Sequence, residues 1–268
     1  MTVEILRTSL KLQMEPRFRF LYETGRLEEL LDPNPKDVAE EILKRILESS
    51  KPTVTNIFSL SMFSGKTTAA VDFADLADKS GLQVIAVQPN SSLRHGELQK
   101  TQITTHKQKK YRTLPAILTD PNLRSVVEVA ERIDREKQSS RPVLIIDEAM
   151  LYKENEANTQ EAEEYVESIR QMGIDVITTG ITRNFKTKPF VVMDHLVRAS
   201  SRREKWENVQ MTTQCAFCTE RAKGTARYIF EDGQIRLAFE KDPDHLAGGD
   251  DKYAQVCVDV HRSFQLDK

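Results

Sequence analysis

The stretch Ile57–Thr68 reads Ile-Phe-Ser-Leu-Ser-Met-Phe-Ser-Gly-Lys-Thr-Thr, an apolar segment that breaks into a turn of small residues. A strand that enters a helix through such a turn directs several backbone N–H groups and the positive end of the helix dipole at one point. In this pattern Lys66 reaches the β- and γ-phosphates of a nucleotide, and the Thr67 hydroxyl binds Mg²⁺. The usual motif has a glycine where Leu60 stands, and Gly-Lys-Thr also occurs in ordinary turns, so this predicted phosphate cradle needs support from the rest of the chain.

Composition places the chain among globular proteins and favours no strongly charged partner. The 268 residues suffice for one domain with appendages, and 39% of them are hydrophobic and 30% charged. The formal net charge of −2 gives no overall attraction to nucleic acid or to a membrane surface. No apolar run approaches the roughly 18 residues that span a bilayer, and the first residues lack the apolar core of a signal peptide. We therefore expect a cytoplasmic protein without membrane contact.

The chain around the cradle alternates between strand and helix patterns. Val54–Ser59 is a predicted strand, Lys66–Ser80 a helix that ends at Gly81, and Leu82–Val87 the next strand. Further downstream we expect helices at Asn122–Lys137 and Glu161–Met172 and strands at Val143–Ile146 and Ile174–Thr179. Repeated β-α-β order predicts an α/β fold with a parallel sheet and helices on both faces.

Two other segments lie outside this alternation. Asn34-Pro35 is a typical helix start, and the residues after it form an apolar stripe of Val38, Ile42, Leu43, Ile46 and Leu47. Such a helix has to pack on another surface, and a structural cap is the simplest interpretation. The polar segment Gln88–Thr113 has no periodicity and carries a basic cluster, so we expect a mobile loop that is either merely solvated or approaches a phosphate-bearing ligand.

A second landmark is the apolar run Val143–Ile146, which is followed directly by Asp147 and Glu148. A continuous apolar run is typical of a central parallel strand, and the crevice beyond the carboxyl end of such a strand is where ligands bind. There Asp147 is placed to hold Mg²⁺ through water and Glu148 to take a proton from an attacking hydroxyl. An isolated Asp-Glu pair is more often a helix cap, but its position downstream of the cradle favours the catalytic interpretation.

The chain has three cysteines, and two of them form Cys215-x-x-Cys218. In an intracellular chain this spacing indicates a metal site rather than a disulfide. Cys257 supplies a third thiolate, and His261 follows it at a spacing that is also found in zinc fingers. We therefore expect one structural Zn²⁺, with His261, His245, Asp259 or water open as the fourth ligand.

Five stretches in this order resemble the type II thymidine kinase family, the cellular and bacterial enzymes that are distinct from the herpesviral kind. The resemblance runs from about Thr53 to about Arg262 and leaves out the N-terminal extension. The matching stretches are Ser61–Thr68 in the cradle, Gln88–Arg94, Ile145–Ala149 with its two carboxylates, Gly180–Phe190, and the pair formed by Cys215-x-x-Cys218 with Gly248–Tyr253 and Cys257.

The resemblance implies a P-loop, RecA-like core and a small zinc-ribbon-like lasso domain that closes over thymine. It divides the chain into a helical extension at 1–52, a kinase core at 53–205 and a zinc-binding lasso domain at 206–268. The implied reaction transfers the γ-phosphoryl of ATP to the 5′-hydroxyl of thymidine with Mg²⁺. The implied partners are a small-molecule nucleoside and further copies of the chain in a homo-oligomer, a tetramer in the family.

Site roles follow from the same resemblance. Lys66 and Glu148 are implied as catalytic residues, together with Arg94, which would stabilise charge on the transferring phosphoryl group. ATP and Mg²⁺ would be bound by Ser64, Gly65, Lys66, Thr67, Thr68 and Asp147. The base would be surrounded by Met62, Phe185, Phe190 and Tyr253, and the zinc would be held by Cys215, Cys218, Cys257 and His261.

The chain departs from the family pattern mainly at the phosphate end, and these departures keep two other functions open. The departures are Leu60, Ser61, Gln88, Ser92, Lys107, Met150–Tyr152 and, at the zinc site, Val260 in place of a fourth cysteine. One alternative is a kinase for a thymine-like acceptor in another setting, such as a modified deoxyuridine or a base within DNA, which the basic loop would contact. The other is a catalytically silent nucleotide-binding relative that acts through its N-terminal extension.

Overall fold

The computed structural model describes residues 14–24, 26–92, 102–104, 113–136, 141–153, 161–231, 234–238 and 253–260. The helices are α1 (Pro16–Thr24), α2 (Pro35–Glu48), α3 (Lys66–Lys79), α4 (Leu123–Glu136), α5 (Glu161–Gln171) and α6 (Val191–Ala199). The strands are β1 (Val54–Ser59), β2 (Val84–Pro89), β3 (Gln102–Thr104), β4 (Thr113–Pro115), β5 (Ile117–Thr119), β6 (Val143–Ile146), β7 (Asp175–Ile181), β8 (Trp206–Gln210), β9 (Gly224–Glu231), β10 (Gln234–Leu237) and β11 (Tyr253–Val256).

A six-stranded sheet with the order β5-β2-β6-β7-β1-β8 forms the centre of the molecule. All five strand pairings in it are parallel, which confirms the predicted α/β class. Every residue of β6 and β7 is buried, as the continuous apolar runs predicted. Because β1 and β6 both flank β7, the cradle and the Asp147–Glu148 pair lie at the same edge of the sheet.

Helices cover the sheet in two layers, each with its own apolar cluster. On one side α4, α5 and α6 bury their apolar residues against the sheet, in a cluster that includes Val126, Val166 and Leu196. On the other side α2 packs along α3, through Val38, Ile42 and Ile46 of α2 and residues such as Phe73 of α3. Leu47 is 56% exposed, so the predicted stripe on α2 is one residue narrower than its apolar sequence suggests.

The helix start at Asn34-Pro35 is confirmed. Pro35 is the first residue of α2, and the Asn34 side chain accepts a hydrogen bond of 2.9 Å from the Lys36 N–H. The helix covers α3, the helix that begins at the cradle, so it is packed as the structural-cap interpretation requires.

The prediction of a loop over Gln88–Thr113 was wrong at Gln102–Thr104, which form the strand β3. This strand pairs antiparallel with β4, whose first residue is Thr113. Residues 93–101 and 105–112, which include the basic cluster, lie outside the described residues. Ile103 is only 1% exposed and packs in the α2–α3 cluster. A single apolar residue in a polar stretch produces no periodicity, and for that reason the sequence pattern did not reveal this hairpin.

The C-terminal part forms a separate antiparallel sheet with the order β10-β9-β11. Strand β8, which the sequence interpretation placed with this part, instead pairs with β1 in the central sheet. The core sheet thus continues past the boundary predicted at residue 205, and the division of the chain into three domains stays a prediction. None of the helices in the described ranges is long and apolar enough to cross a membrane.

Candidate active site and metal centre

Gly65 forms the turn through which β1 enters α3. Its φ of 84° lies in the left-handed region, which glycine adopts without the steric cost that a side chain would add. Lys66 is the first residue of α3, so the N–H groups of the first helical turn point toward the cradle. Ser64 is buried, while Thr67 and Thr68 are half-buried in the first turn. This is the geometry of a phosphate-binding loop, although Leu60 replaces its first glycine.

The Lys66 side chain folds back into the cradle. Its Nζ donates hydrogen bonds to Ser59 Oγ at 2.8 Å, to Ser64 Oγ at 3.0 Å and to the Ser61 carbonyl at 3.4 Å. Burial lowers the pKa of Lys66 from 10.5 to about 8, and the negative charges of Glu148 and Asp147 oppose this shift only in part. A buried ammonium group held by weak neutral acceptors is well placed to bind phosphate oxygens instead.

Asp147 lies directly beyond β6 and faces the cradle. Its Oδ1 accepts hydrogen bonds from the Thr179 hydroxyl and, at 3.4 Å, from the Thr67 hydroxyl. Burial raises the pKa of Asp147, while the Thr179 hydrogen bond and the Lys66 charge oppose the rise. Thr67 and Asp147 thus present two oxygen atoms side by side, and oxygen ligands of this kind are what Mg²⁺ prefers. We identify them as the residues that could hold the metal of a nucleotide.

Glu148 adopts a left-handed backbone conformation, with φ 54° and ψ 39°. A residue with a side chain adopts this conformation at a cost of about 1–3 kcal/mol, and such positions cluster at functional sites. The Glu148 N–H donates to Thr179 Oγ1 at 3.4 Å. Because of this backbone conformation, the Glu148 side chain does not continue the alternating directions of the β6 side chains.

Two residues of the predicted base pocket, Phe185 and Tyr253, lie beside Arg227, which sequence reasoning did not single out. The Arg227 guanidinium lies 4.5 Å above the centroid of the Phe185 ring. Arg227 on β9 is paired with Tyr253 on β11, so both side chains lie on one face of the small sheet. Arg227 is 2% exposed, and Phe185 and Tyr253 are each 7% exposed.

The cradle touches the same small sheet through Met62. The Met62 N–H donates to Thr225 Oγ1 at 3.0 Å, and Thr225 lies on the same face of β9 as Arg227. Phe190 is half-buried and immediately precedes α6, where its N–H donates to the Thr182 carbonyl at 2.9 Å. The predicted catalytic residue Arg94 lies outside the described residues, as does the loop 248–252.

The three cysteines form a cluster in which the sulfur atoms lie within 4.8 Å of one another. The Sγ atoms of Cys218 and Cys257 are 3.5 Å apart. Sulfur ligands around a tetrahedral zinc lie about 3.8 Å apart, because each Zn–S bond is about 2.3 Å long. The Phe217 N–H donates to Cys215 Sγ at 3.5 Å and the Val260 N–H to Cys257 Sγ at 3.4 Å, and such bonds stabilise thiolate ligands.

The cysteine cluster therefore fits a zinc ion with three protein ligands. Burial raises the pKa of Cys218 to about 12, so without a metal this thiol stays protonated. A bound Zn²⁺ would supply the positive charge that removes the proton. His261 and His245 lie outside the described residues, and Asp259 is exposed beside the cluster. The fourth ligand thus stays a prediction.

Thr179, Thr225 and Arg227 are the residues that the sequence did not reveal. None of them lies within a motif, and each reaches the site through strand pairing. No local pattern indicated Arg227, because its neighbour Tyr253 is found only through the register of β9 and β11. Threonines give no signal either, because they are common in strands.

A phosphate-binding turn, its lysine and two carboxylates at the carboxyl edge of a parallel sheet define a P-loop phosphotransferase. A sequence model of the family "Thymidine kinase" matches residues 54–261, and the chain belongs to this family of kinases, whose phosphate donor is ATP.

Individual relatives carry the same name. The chain is 28% identical over 207 residues to "Thymidine kinase" of Onion yellows phytoplasma, which covers 77% of this chain and 86% of the relative. It is 23% identical over 209 residues to "Thymidine kinase" of Mesomycoplasma hyopneumoniae (strain 7448), covering 78% and 95% respectively. It is 24% identical over 205 residues to "Thymidine kinase 1" of Dictyostelium discoideum, covering 76% and 75%. The N-terminal extension lies before the family match.

Proposed function

We propose that the protein transfers the γ-phosphoryl group of ATP to the 5′-hydroxyl of thymidine. The observation that carries this proposal is the meeting of Lys66, Asp147 and Glu148 at one sheet edge within a chain of this family. The family membership does not favour an acceptor within DNA or a silent relative.

The phosphate residues bind and orient the donor. Ser64, Gly65, Thr67 and Thr68 line the turn and the first turn of α3, where backbone N–H groups donate hydrogen bonds to the phosphate oxygens. Lys66 exchanges its serine partners for the β- and γ-phosphates and neutralises charge that grows in the transition state. Thr67 and Asp147 would hold Mg²⁺, which would offset negative charge on the phosphates.

Glu148 acts on the acceptor. The thymidine 5′-oxygen forms a bond to the γ-phosphorus while the bond from that phosphorus to the β–γ bridging oxygen breaks, and ADP leaves. Glu148 takes the proton of the attacking hydroxyl, and its constrained backbone holds the carboxylate in position. Arg94 is proposed to stabilise charge on the transferring group, on the basis of the family resemblance.

The acceptor base is bound between the core and the small antiparallel sheet. Phe185 and Tyr253 are proposed as its main walls, and this is supported by their approach to Arg227 from two different elements. Met62 and Phe190 are proposed to complete the pocket. A structural zinc on Cys215, Cys218 and Cys257, with His261 as the candidate fourth ligand, is proposed to hold the small sheet in place.

Two further properties are proposed. A homo-oligomer is expected from the family resemblance, and a cytoplasmic location is the expectation drawn from the sequence.

The decisive experiment measures transfer from γ-labelled ATP in Mg²⁺ buffer to thymidine, deoxyuridine, deoxycytidine and single-stranded DNA in parallel. We expect label on thymidine with the highest kcat/KM, and none with the Lys66→Ala variant. Label on DNA in preference to thymidine would replace the proposed acceptor. Absence of transfer to every acceptor, in a preparation that binds ATP, would overturn the proposal.

A further inference from the structure

The segment Leu31–Pro35, which precedes the family match, lies directly against the phosphate cradle. A methyl group built at Cβ of Gly65 would come within 2.6 Å of Leu31 Cδ1 and 3.0 Å of Pro35 Cγ. Met211, at the end of β8, completes this contact at 3.4 Å. The side of Gly65 that lacks a side chain is thus filled by the N-terminal extension.

Gly65 is the point of the cradle that most needs such support. It adopts a positive φ and immediately precedes the N–H groups of α3 that receive phosphate. Glycine has more conformational freedom than any other residue. The first glycine of the usual motif is absent here, because Leu60 stands at that position. Close packing on Gly65 removes this freedom without blocking the phosphate side of the turn.

The segment is itself fixed at both ends. Asp32 forms an antiparallel bridge with Thr212, with backbone hydrogen bonds of 3.0 Å and 2.7 Å, and its carboxylate pairs with Arg221 at 2.5 Å. At the other end Pro35 is the first residue of α2, which packs along α3 through Val38, Ile42 and Ile46. The contact on Gly65 is therefore held by the same helix pair that carries Lys66.

We propose that Leu31 is a positioning residue for the phosphate cradle, which it holds in its nucleotide-binding shape by packing on Gly65. Leu31 touches neither nucleotide nor acceptor and acts through the glycine. Sub-ångström displacement of a phosphate-binding turn costs binding free energy, because several N–H groups lose their alignment at once. This inference rests on the proposed function only in that the cradle binds ATP.

The experiment measures the dissociation constant of a fluorescent ATP analogue with Mg²⁺ and without acceptor. We compare the parent with Leu31→Ala, Leu31→Met and Leu43→Ala. Leu43 packs in the same α2–α3 cluster and so controls for a general loss of packing. We expect Leu31→Ala to weaken analogue binding about tenfold or more, while Leu31→Met, which conserves volume, and Leu43→Ala stay within about twofold of the parent.

A structural role alone would give a different result. If Leu31→Ala bound the analogue like the parent, or if Leu43→Ala weakened binding equally, the inference would be overturned. Circular dichroism verifies the fold of each variant, and Leu31→Val provides a milder truncation with an intermediate loss expected. The KM for thymidine should change less than the analogue affinity in Leu31→Ala.

The two proposals fail separately. If the parent binds the analogue but transfers no phosphoryl group to thymidine, the proposed acceptor is wrong while the effect of Leu31 is still measured. If thymidine is phosphorylated and Leu31→Ala has no effect on analogue binding, only the positioning role is rejected.

Discussion

A single hydroxyl, that of Thr179 on β7, contacts both the carboxylate of Asp147 and the backbone of Glu148. It donates to Asp147 and accepts at 3.4 Å from the backbone of Glu148, which uses the one donor and one of the two acceptor positions of a threonine. Asp147 thereby keeps a fixed direction toward Thr67, and the turn that carries Glu148 is tied to the neighbouring strand. The Asp147 carboxylate and the Glu148 backbone are therefore held in part from outside their own strand.

The first prediction concerns Glu148. In Glu148→Gln the side chain keeps its size but accepts no proton, so kcat should fall about 10²- to 10⁴-fold with little change in the KM for either substrate. Steady-state kinetics with thymidine and ATP measure this. Glu164→Gln, at an exposed position of α5, serves as the matched control and should behave like the parent. A rate within a few-fold of the parent would transfer the role of general base to Asp147.

The second prediction concerns pH. Since burial lowers the pKa of Lys66 to about 8, free enzyme loses the ammonium charge above that pH, and ATP affinity should fall about tenfold for each further pH unit. Titration with the fluorescent ATP analogue between pH 7 and 9.5 measures the slope. Lys66→Arg stays charged and should give a flat profile. An equally flat profile in the parent would contradict the lowered pKa.

The lowered pKa of Lys66 also makes the free energy of unfolding depend on pH. Between the folded value of about 8 and the unfolded value of 10.5, the unfolded chain binds more protons at Lys66 than the folded protein does. The contribution of Lys66 to the free energy of unfolding therefore rises with pH in this window, and below it the buried charge lowers stability.

The third prediction concerns Arg227. Arg227→Met removes the cation above Phe185 but keeps a long apolar side chain, and a buried cation–π contact contributes about 2 kcal/mol. We expect the KM for thymidine to rise about tenfold while binding of the ATP analogue stays unchanged. Arg198→Met, at an exposed position of α6, is the control. A parallel loss of nucleotide binding would mean that Arg227 supports the whole fold rather than the base pocket.

At the scale of elements, sequence patterns predicted the core well where each element carries its own signal. The helix at Lys66–Lys79 and the strand at Val54–Ser59 were predicted almost to the residue, because a glycine turn and an apolar run mark their ends. The β3–β4 hairpin and the membership of β8 were missed. The β3 strand has a single buried apolar residue and so no periodicity, whereas β8 depends on pairing with the distant β1. Trp206–Gln210 also alternates too weakly to indicate a sheet edge.

The fourth prediction concerns the cluster of Cys215, Cys218 and Cys257. Cys257→Ser should reduce bound zinc from about one ion per chain to a small fraction, because three protein ligands are needed to retain it. Metal analysis of purified protein measures this, and Val258→Ser, an exposed neighbour, is the control. Unchanged zinc in Cys257→Ser would reject the site. His261→Ala tests the fourth ligand alone, and undiminished zinc affinity there would reject only that choice.

At the scale of the whole molecule, an ion-pair network joins the edge of the sheet to the helix layer. Glu167 on α5 binds Arg170 at 2.6 Å and accepts from the indole N–H of Trp206 on β8 at 2.9 Å. The hydrogen bond from Arg170, with help from Trp206, lowers the pKa of Glu167 to about 2. Strand β8 is thereby tied to α5 as well as to β1.

The fifth prediction follows from this network. A carboxylate with a lowered pKa stabilises the fold above its unfolded value of 4.5, and that stability is lost as the pH falls toward 2. Urea midpoints measured between pH 6 and pH 3 should drop in the parent and drop less steeply in Glu167→Gln. Glu164→Gln should follow the parent. Identical slopes in all three proteins would show that Glu167 does not contribute to acid sensitivity.

The sequence predicted those parts of the candidate site whose functional residues are neighbours in the chain. Gly65-Lys66-Thr67, Asp147-Glu148 and Cys215-x-x-Cys218 each contain their chemistry within a few residues. Thr179 and Arg227 reach the site through the pairing of β6 with β7 and of β9 with β11. Strand register of this kind is determined by the packing of the entire sheet, so no pattern within a single segment predicts it.

The order of the central sheet also determines when the enzyme can form during synthesis. Strand β1 leaves the ribosome well before its two neighbours in the sheet, Asp175–Ile181 and Trp206–Gln210, which are translated more than a hundred residues later. The nascent cradle strand must therefore wait for most of the chain, with both edges exposed to improper pairing. Helices α2 and α3 flank β1 in the chain and pack on each other, so they provide early cover for it. The helix of the N-terminal extension can thus pack beside the cradle strand before the other strands of the sheet are translated.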